Sequence, residues 1–91
     1  MTKKAIIVCT WDWYYYSHRR NISKMFLEAG YEVIVVTKII NLREEIESDG
    51  VRIIDVPFSR ASLNPFRELG IIWRLRRIYA KEKPDIVYHV A

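Results

Sequence analysis

The stretch TWDWYYYSHRR, Thr10 to Arg20, places two tryptophans, three tyrosines, a histidine and two arginines within one short run. Aromatic side chains with polar tips stack on the apolar face of a sugar or settle at a membrane interface. Histidine at neutral pH can give or take a proton, and arginine offers a fixed fork of donors to an anion. His18, Arg19 and Arg20 are read as standing at or just before a helix start, where backbone donors also favour negative charge. Trp13, His18 and Arg19 are therefore candidate ligand contacts. His89, near the other end of the chain, is the fourth. Trp11, Tyr14 and Tyr15 are read as packing residues. Nothing in the pattern assigns a catalytic residue.

These residues follow KKAIIVC, a near-continuous apolar run of the kind that forms a strand covered on both faces. A dinucleotide-binding turn at this place would carry G-x-G-x-x-G, because glycine lets the backbone approach a pyrophosphate. Thr10 to Arg20 has no glycine, so a dinucleotide is not expected here.

The rest of the chain must position this segment. YEVIVVT and VRIIDVP read as further strands, the latter stopped by Pro57, and KPDIVYHVA as a fourth. The spacing predicts strands near residues 3–9, 32–37, 52–56 and 85–90, and helices near 18–29, 42–48 and 65–82. In the first helix Ile22, Met25, Phe26 and Ala29 form the apolar face, with Gly30 at the left-handed C-cap. Asn41 and Glu44 have the spacing of a capping box, Asp49-Gly50 reads as a turn, and Asn64-Pro65 reads as a helix start. In the last helix Leu69, Ile72, Leu75 and Tyr79 are the expected core stripe.

Strands alternating with helices over such short spans require right-handed parallel crossovers. The fold class is α/β, a Rossmann-like open parallel sheet in the order 3-2-1-4 with helices on both faces. Ligands of such sheets bind beyond the carboxyl ends of the strands where the winding reverses, which places His18 and His89 at one crevice.

With 91 residues the chain allows one modest domain. Its single cysteine, Cys9, excludes an internal disulfide and a multi-cysteine metal site, and reads as a small hydrophobe at a strand end. No metal or cofactor is implied. No apolar run is long enough to span a bilayer, and MTKK does not open a signal peptide, so a cytoplasmic setting is expected. The net charge of +4 is uneven: residues 60–83 hold seven basic and two acidic residues, the remainder eight and nine. Such a region attracts phosphate-bearing partners, among them anionic lipid, although a solvated helix face needs none. Nucleic acid is not expected, because aromatic and basic residues are not interleaved on one face.

WDWYYYSHRR, MFLEAGYEVIVVT, GVRIIDVPFSRASLNPFREL and KPDIVYHVA together resemble the N-terminal domain of GT-B glycosyltransferases of family 4, closest to the bacterial cell-envelope branch. The resemblance covers nearly the whole chain. It is most specific at Ser17 to Arg19, Glu28 to Val33 and Pro84 to His89. It implies a domain that mainly binds the acceptor, with Trp13, His18, Arg19 and His89 as acceptor contacts. A second domain, none of which is present in residues 1–91, would bind the nucleotide-sugar. The resemblance further implies transfer with retention to a polysaccharide or lipid-linked acceptor, at or near the inner face of the membrane. The chain is then expected to be a truncated N-terminal fragment, inactive alone and prone to self-association through an uncovered fourth strand. The alternative is a small non-enzymatic α/β module that binds an anionic partner or self-assembles.

Overall fold

The computed structural model describes residues 3–58 and 65–90. Strands β1 (Lys4–Val8), β2 (Glu32–Thr37), β3 (Arg52–Asp55) and β4 (Ile86–His89) form one parallel sheet in the order β3-β2-β1-β4, as predicted. Beyond its first residue each central strand is buried, which is why both read as unbroken apolar runs. Each such valine or isoleucine contributes roughly 1.5–3 kcal/mol by leaving water.

Helices cover both faces. On one, Ile7, Val33 and Val35 pack with side chains of α1 (Asp12–His18), α2 (Arg20–Glu28) and α3 (Arg43–Glu47), among them Tyr15, Phe26 and Ile46. On the other, Ile6, Val8, Ile34 and Val36 meet Ile71, Leu75, Ile78 and Tyr79 of α4 (Pro65–Glu82). The connections through α1, α2 and α3 run toward β3, whereas α4 returns across the opposite face to β4. The winding therefore reverses between β1 and β4.

The first connection differs from the sequence reading. Residues between the expected first strand and first helix form α1, and the helix expected from residue 18 starts as α2 at Arg20. Arg19, at φ −126° and ψ 5°, breaks the two apart. Among the side chains of α1 only Asp12 and Tyr15 are buried, so no apolar helical period was there to read. The Tyr15 hydroxyl, hydrogen-bonded to the buried Ser23 hydroxyl, joins α1 to α2.

Gly30 ends α2 as expected, at φ +89°. The Gly30 N–H donates to Leu27 O (3.0 Å) and the Tyr31 N–H to Phe26 O (2.9 Å), with the Phe26 and Tyr31 rings in contact at 5.3 Å. This is the bonding of a Schellman cap. Met25 and Ala29, assigned to the apolar face of α2, are exposed; Ile22, Phe26 and Leu27 make that face. The capping box at Asn41 does not form, since α3 follows Leu42 with no side-chain cap. Asn64 lies outside the described residues. In α4 the expected stripe is also corrected: Leu69 and Ile72 are exposed, and Ile71 and Ile78 pack in their place beside Leu75 and Tyr79. Apolar residues occur all round this helix, so spacing alone could not select the inner face.

Charges gather at the amino ends of the strands. The buried Glu82 carboxylate of α4 accepts Lys4 Nζ at 3.1 Å and the Arg52 guanidinium, and Arg52 lies 3.6 Å from Glu32. A buried carboxylate is tolerated only when paired in this way. Burial alone would raise the Glu82 pKa, but the bonds from Lys4 and Arg52 outweigh it and hold the carboxyl below its ordinary value. Its contribution to stability is thus full above the unfolded carboxylate range and is lost as pH falls through the lower folded value. Glu82→Gln should cost about 2 kcal/mol at neutral pH and narrow the gap between urea midpoints measured at neutral and strongly acidic pH. An unchanged gap would remove Glu82 from the acid sensitivity.

Candidate functional site

The place where an open parallel sheet receives a ligand is the crest of carboxyl strand ends at the reversal of winding. A side chain of the protein occupies part of that crest. The carboxylate of Asp12, fully buried, accepts through Oδ2 the backbone N–H groups of Ile40 (2.8 Å), Asn41 (3.1 Å) and Leu42 (3.1 Å). Its Oδ1 accepts the Trp13 N–H at 2.7 Å, and the Asp12 N–H donates to Lys38 O at 3.1 Å. Successive N–H groups converging on one point are what a bound phosphate would use. Here the anion is part of the chain. Burial would raise the Asp12 pKa, but the four N–H donors prevail and hold it below the usual value.

Outside this anchor lies an aromatic ridge. His18 stacks on Tyr14, with ring centroids 4.8 Å apart and planes inclined by 12°, and meets Trp13 edge-on at 5.8 Å. Trp13, half exposed, contacts Trp11 at 5.7 Å. The Arg19 guanidinium lies 5.7 Å from the Tyr14 ring centre, and its Nη1 donates to His18 O at 3.4 Å. The structure thus brings Trp13, His18 and Arg19 together, with Tyr14 as the shared platform.

Arg19 and Arg20 differ sharply. Arg20 donates to both oxygens of Asp49, at 2.8 and 2.7 Å, and lies over the Tyr16 ring at 4.2 Å. That pairing holds the Asp49 carboxyl below its ordinary pKa. Arg19 makes no ion pair among the described residues, and its Nε is buried without a hydrogen-bond partner. A partly buried cation with an unmatched donor is suited to an incoming anion.

His18 closes α1 and stands just before the start of α2, which opens at Arg20 with Arg19 as its N-cap residue, so the reading of these three residues at or just before a helix start holds. His89 sits apart from the ridge: paired in register with Val8 on the α4 face, it places Nε2 3.2 Å from the Tyr79 hydroxyl. The histidines expected at one crevice lie with different partners on opposite faces of the sheet. Tyr14 packs against the core as read, with His18 stacked on its ring, and Asp12 is the residue that sequence reasoning missed. A lone carboxylate in an aromatic run, directly after a buried strand, was the available signal for Asp12.

Two further groups line the crest. Thr37, fully buried at the end of β2, has a hydroxyl without a partner. Burial pushes the Cys9 thiol up, against the opposing pull of the Arg19 charge, and the thiol donates to Trp11 O at 3.5 Å. Cys9 behaves as the small hydrophobe that the sequence suggested. Among the described residues no cluster of three or more His, Cys, Asp or Glu side chains could hold a metal ion.

A family model described as glycosyl transferase 4-like matches residues 5–91. No curated protein matches significantly. Among solved structures, the crystal structure of a glycosyltransferase from Rickettsia africae ESF-5 is similar with a TM-score of 0.79 at 18% identity. The match covers 99% of this chain and 24% of that one, so the chain spans about a quarter of the solved protein. At this identity the likeness concerns the fold.

Asp12→Ala should destabilise the fold by roughly 3 kcal/mol or more, because several buried N–H groups lose their acceptor at once. The contribution of Asp12 is present above the unfolded carboxylate range and lost as pH falls through its lower folded value. Chemical denaturation of wild type and variant at neutral pH measures the loss; a cost below about 1 kcal/mol, the worth of a single ordinary bond, would contradict the anchoring role.

Proposed function

This chain belongs to the glycosyl transferase 4-like family, and from that premise we propose that it is the N-terminal, acceptor-side domain of a glycosyltransferase. The observation that carries the reading is the division of the crest. Asp12 takes up the backbone donors that a nucleotide phosphate would need, while the ridge beside it offers aromatic surface and a guanidinium whose Nε has no hydrogen-bond partner. The nucleotide-sugar is then held mainly by a second domain.

In this proposal Trp13 stacks on a sugar ring of the acceptor, His18 hydrogen-bonds a hydroxyl, and Arg19 meets an anionic group. His89, held by Tyr79 on the α4 face, is a separate contact that lies apart from this ridge. The acceptor is a cell-envelope polysaccharide or a lipid-linked saccharide. The sugar passes from its nucleotide to an acceptor hydroxyl with retention, at the cytoplasmic side of the membrane. No helix among the described residues is long and apolar enough to cross a bilayer. Exposure of Val87 and Tyr88 on β4, an edge of the described sheet, supports strand pairing there with further chain or with a second copy.

The test is made in the complete two-domain enzyme that the proposal implies. His18→Ala and Arg19→Gln should each weaken acceptor use by about 1–3 kcal/mol, the cost of a lost bond to a charged group, while donor hydrolysis without acceptor stays nearly constant. Steady-state rates at varied acceptor, beside a melting curve for each variant, provide the measurement. Unchanged acceptor kinetics in folded variants would remove the ridge from the acceptor site.

A further inference from the structure

Helix α4 has two apolar faces, and the buried clusters among the described residues draw on one. Ile71, Leu75, Ile78 and Tyr79 pack on the sheet. Phe66, Leu69 and Trp73, at the i, i+3, i+7 spacing of a second stripe, are 81%, 61% and 62% exposed. A helix on an α/β sheet ordinarily presents polar residues outward, so three large apolar side chains in line there are not required by the core. Basic residues flank them: Arg74, Arg76, Arg77 and Lys81 are all exposed, and none forms an ion pair among the described residues. Arg77 lies 5.3 Å from the centre of the Trp73 ring, bringing cation and aromatic to one spot. At the flank of the helix, Arg74 and Arg77 line an open cleft of about 340 Å³ with Asp55, Ile54, Val56 and Ile78.

We infer that the outer face of α4 is a docking surface for an anionic phospholipid bilayer. Phe66, Leu69 and Trp73 enter the boundary between headgroups and acyl chains, while Arg74, Arg76, Arg77 and Lys81 meet lipid phosphates, some of them in the cleft. Charge complementarity selects this occupant. A second copy docked through the same face would set like charges against like, because a two-fold contact pairs a patch with itself. The helix is too polar to cross the bilayer, so it lies along the surface. The inference deepens the membrane placement proposed above by assigning the face and the lipid charge.

Co-sedimentation of the 91-residue chain with vesicles tests it independently of any transfer activity. Two lipid compositions are used, phosphatidylcholine alone and phosphatidylcholine with phosphatidylglycerol. Binding is expected only to the phosphatidylglycerol vesicles, weakening with added salt. Leu69→Ser with Trp73→Ser, and separately Arg76→Gln with Arg77→Gln, should each lower the partition coefficient by roughly tenfold. Circular dichroism confirms that each variant is folded. Equal binding to neutral vesicles, absence of binding by the folded wild type, or full retention by either folded variant would overturn the assignment. So would loss of self-association, seen by sedimentation velocity without vesicles, in the apolar variant. Failure of acceptor kinetics at His18 and Arg19, by contrast, would leave this vesicle result untouched.

Discussion

One carboxylate organises the upper end of this domain. Asp12 follows the first strand and draws the N–H groups of Ile40, Asn41 and Leu42 onto a single oxygen, so the segments after β1 and β2 hold each other in place. Its own helix begins there, with the Trp13 N–H on the second oxygen. Because α1 is fixed at this point, the ridge of Trp13, Tyr14 and His18 projects along one side of the crest, and Arg19 follows where α1 breaks. The N–H groups that converge at this point are thus already satisfied by an anion of the chain itself.

The two ends of the sheet divide their work. At the amino ends, Lys4, Arg52, Glu32 and Glu82 close a charge network around the last turn of α4, and Lys4 and Asp85 exchange hydrogen bonds at 2.8 and 2.9 Å. These charges are paired within the fold. At the carboxyl ends Arg19 Nε and the Thr37 hydroxyl remain unmatched. Polar groups buried without partners are costly, and both of these lie at the carboxyl end of the sheet, where the proposed acceptor site is. Glycosyl transferase 4-like family membership agrees with that arrangement.

The strand order was legible because both central strands are buried on both faces, which leaves an unbroken apolar run with little ambiguity. Gly30 was legible because a positive φ after a helix nearly demands glycine. Helix α1 was not, since its buried positions are one aspartate and one tyrosine and no apolar stripe marks it. The inner stripe of α4 was misplaced because Leu69 and Ile72 are as apolar as Ile71 and Ile78, and only the sheet beneath decides between them. Within the site, residue type pointed to Trp13, His18 and Arg19, whose neighbourhood follows from their closeness in sequence. The relation of His18 to His89 depends on which face of the sheet each occupies, and that depends on β4 register, which no local signal carries. Asp12 was passed over because its partners lie about a third of the chain away.

In the proposed acceptor-side domain, Asp12 closes the crest to nucleotide phosphate and the ridge stays open to an acceptor. Proton–nitrogen correlation spectra of the isotopically labelled chain, titrated in parallel with a nucleoside diphosphate and with a sugar phosphate, test it directly. The Ile40, Asn41 and Leu42 amides are expected to stay fixed in both titrations, while the Trp13 indole and the His18 and Arg19 signals move with the sugar phosphate. Saturable shifts of the three amides with the nucleotide, and a silent ridge with the sugar phosphate, would contradict it.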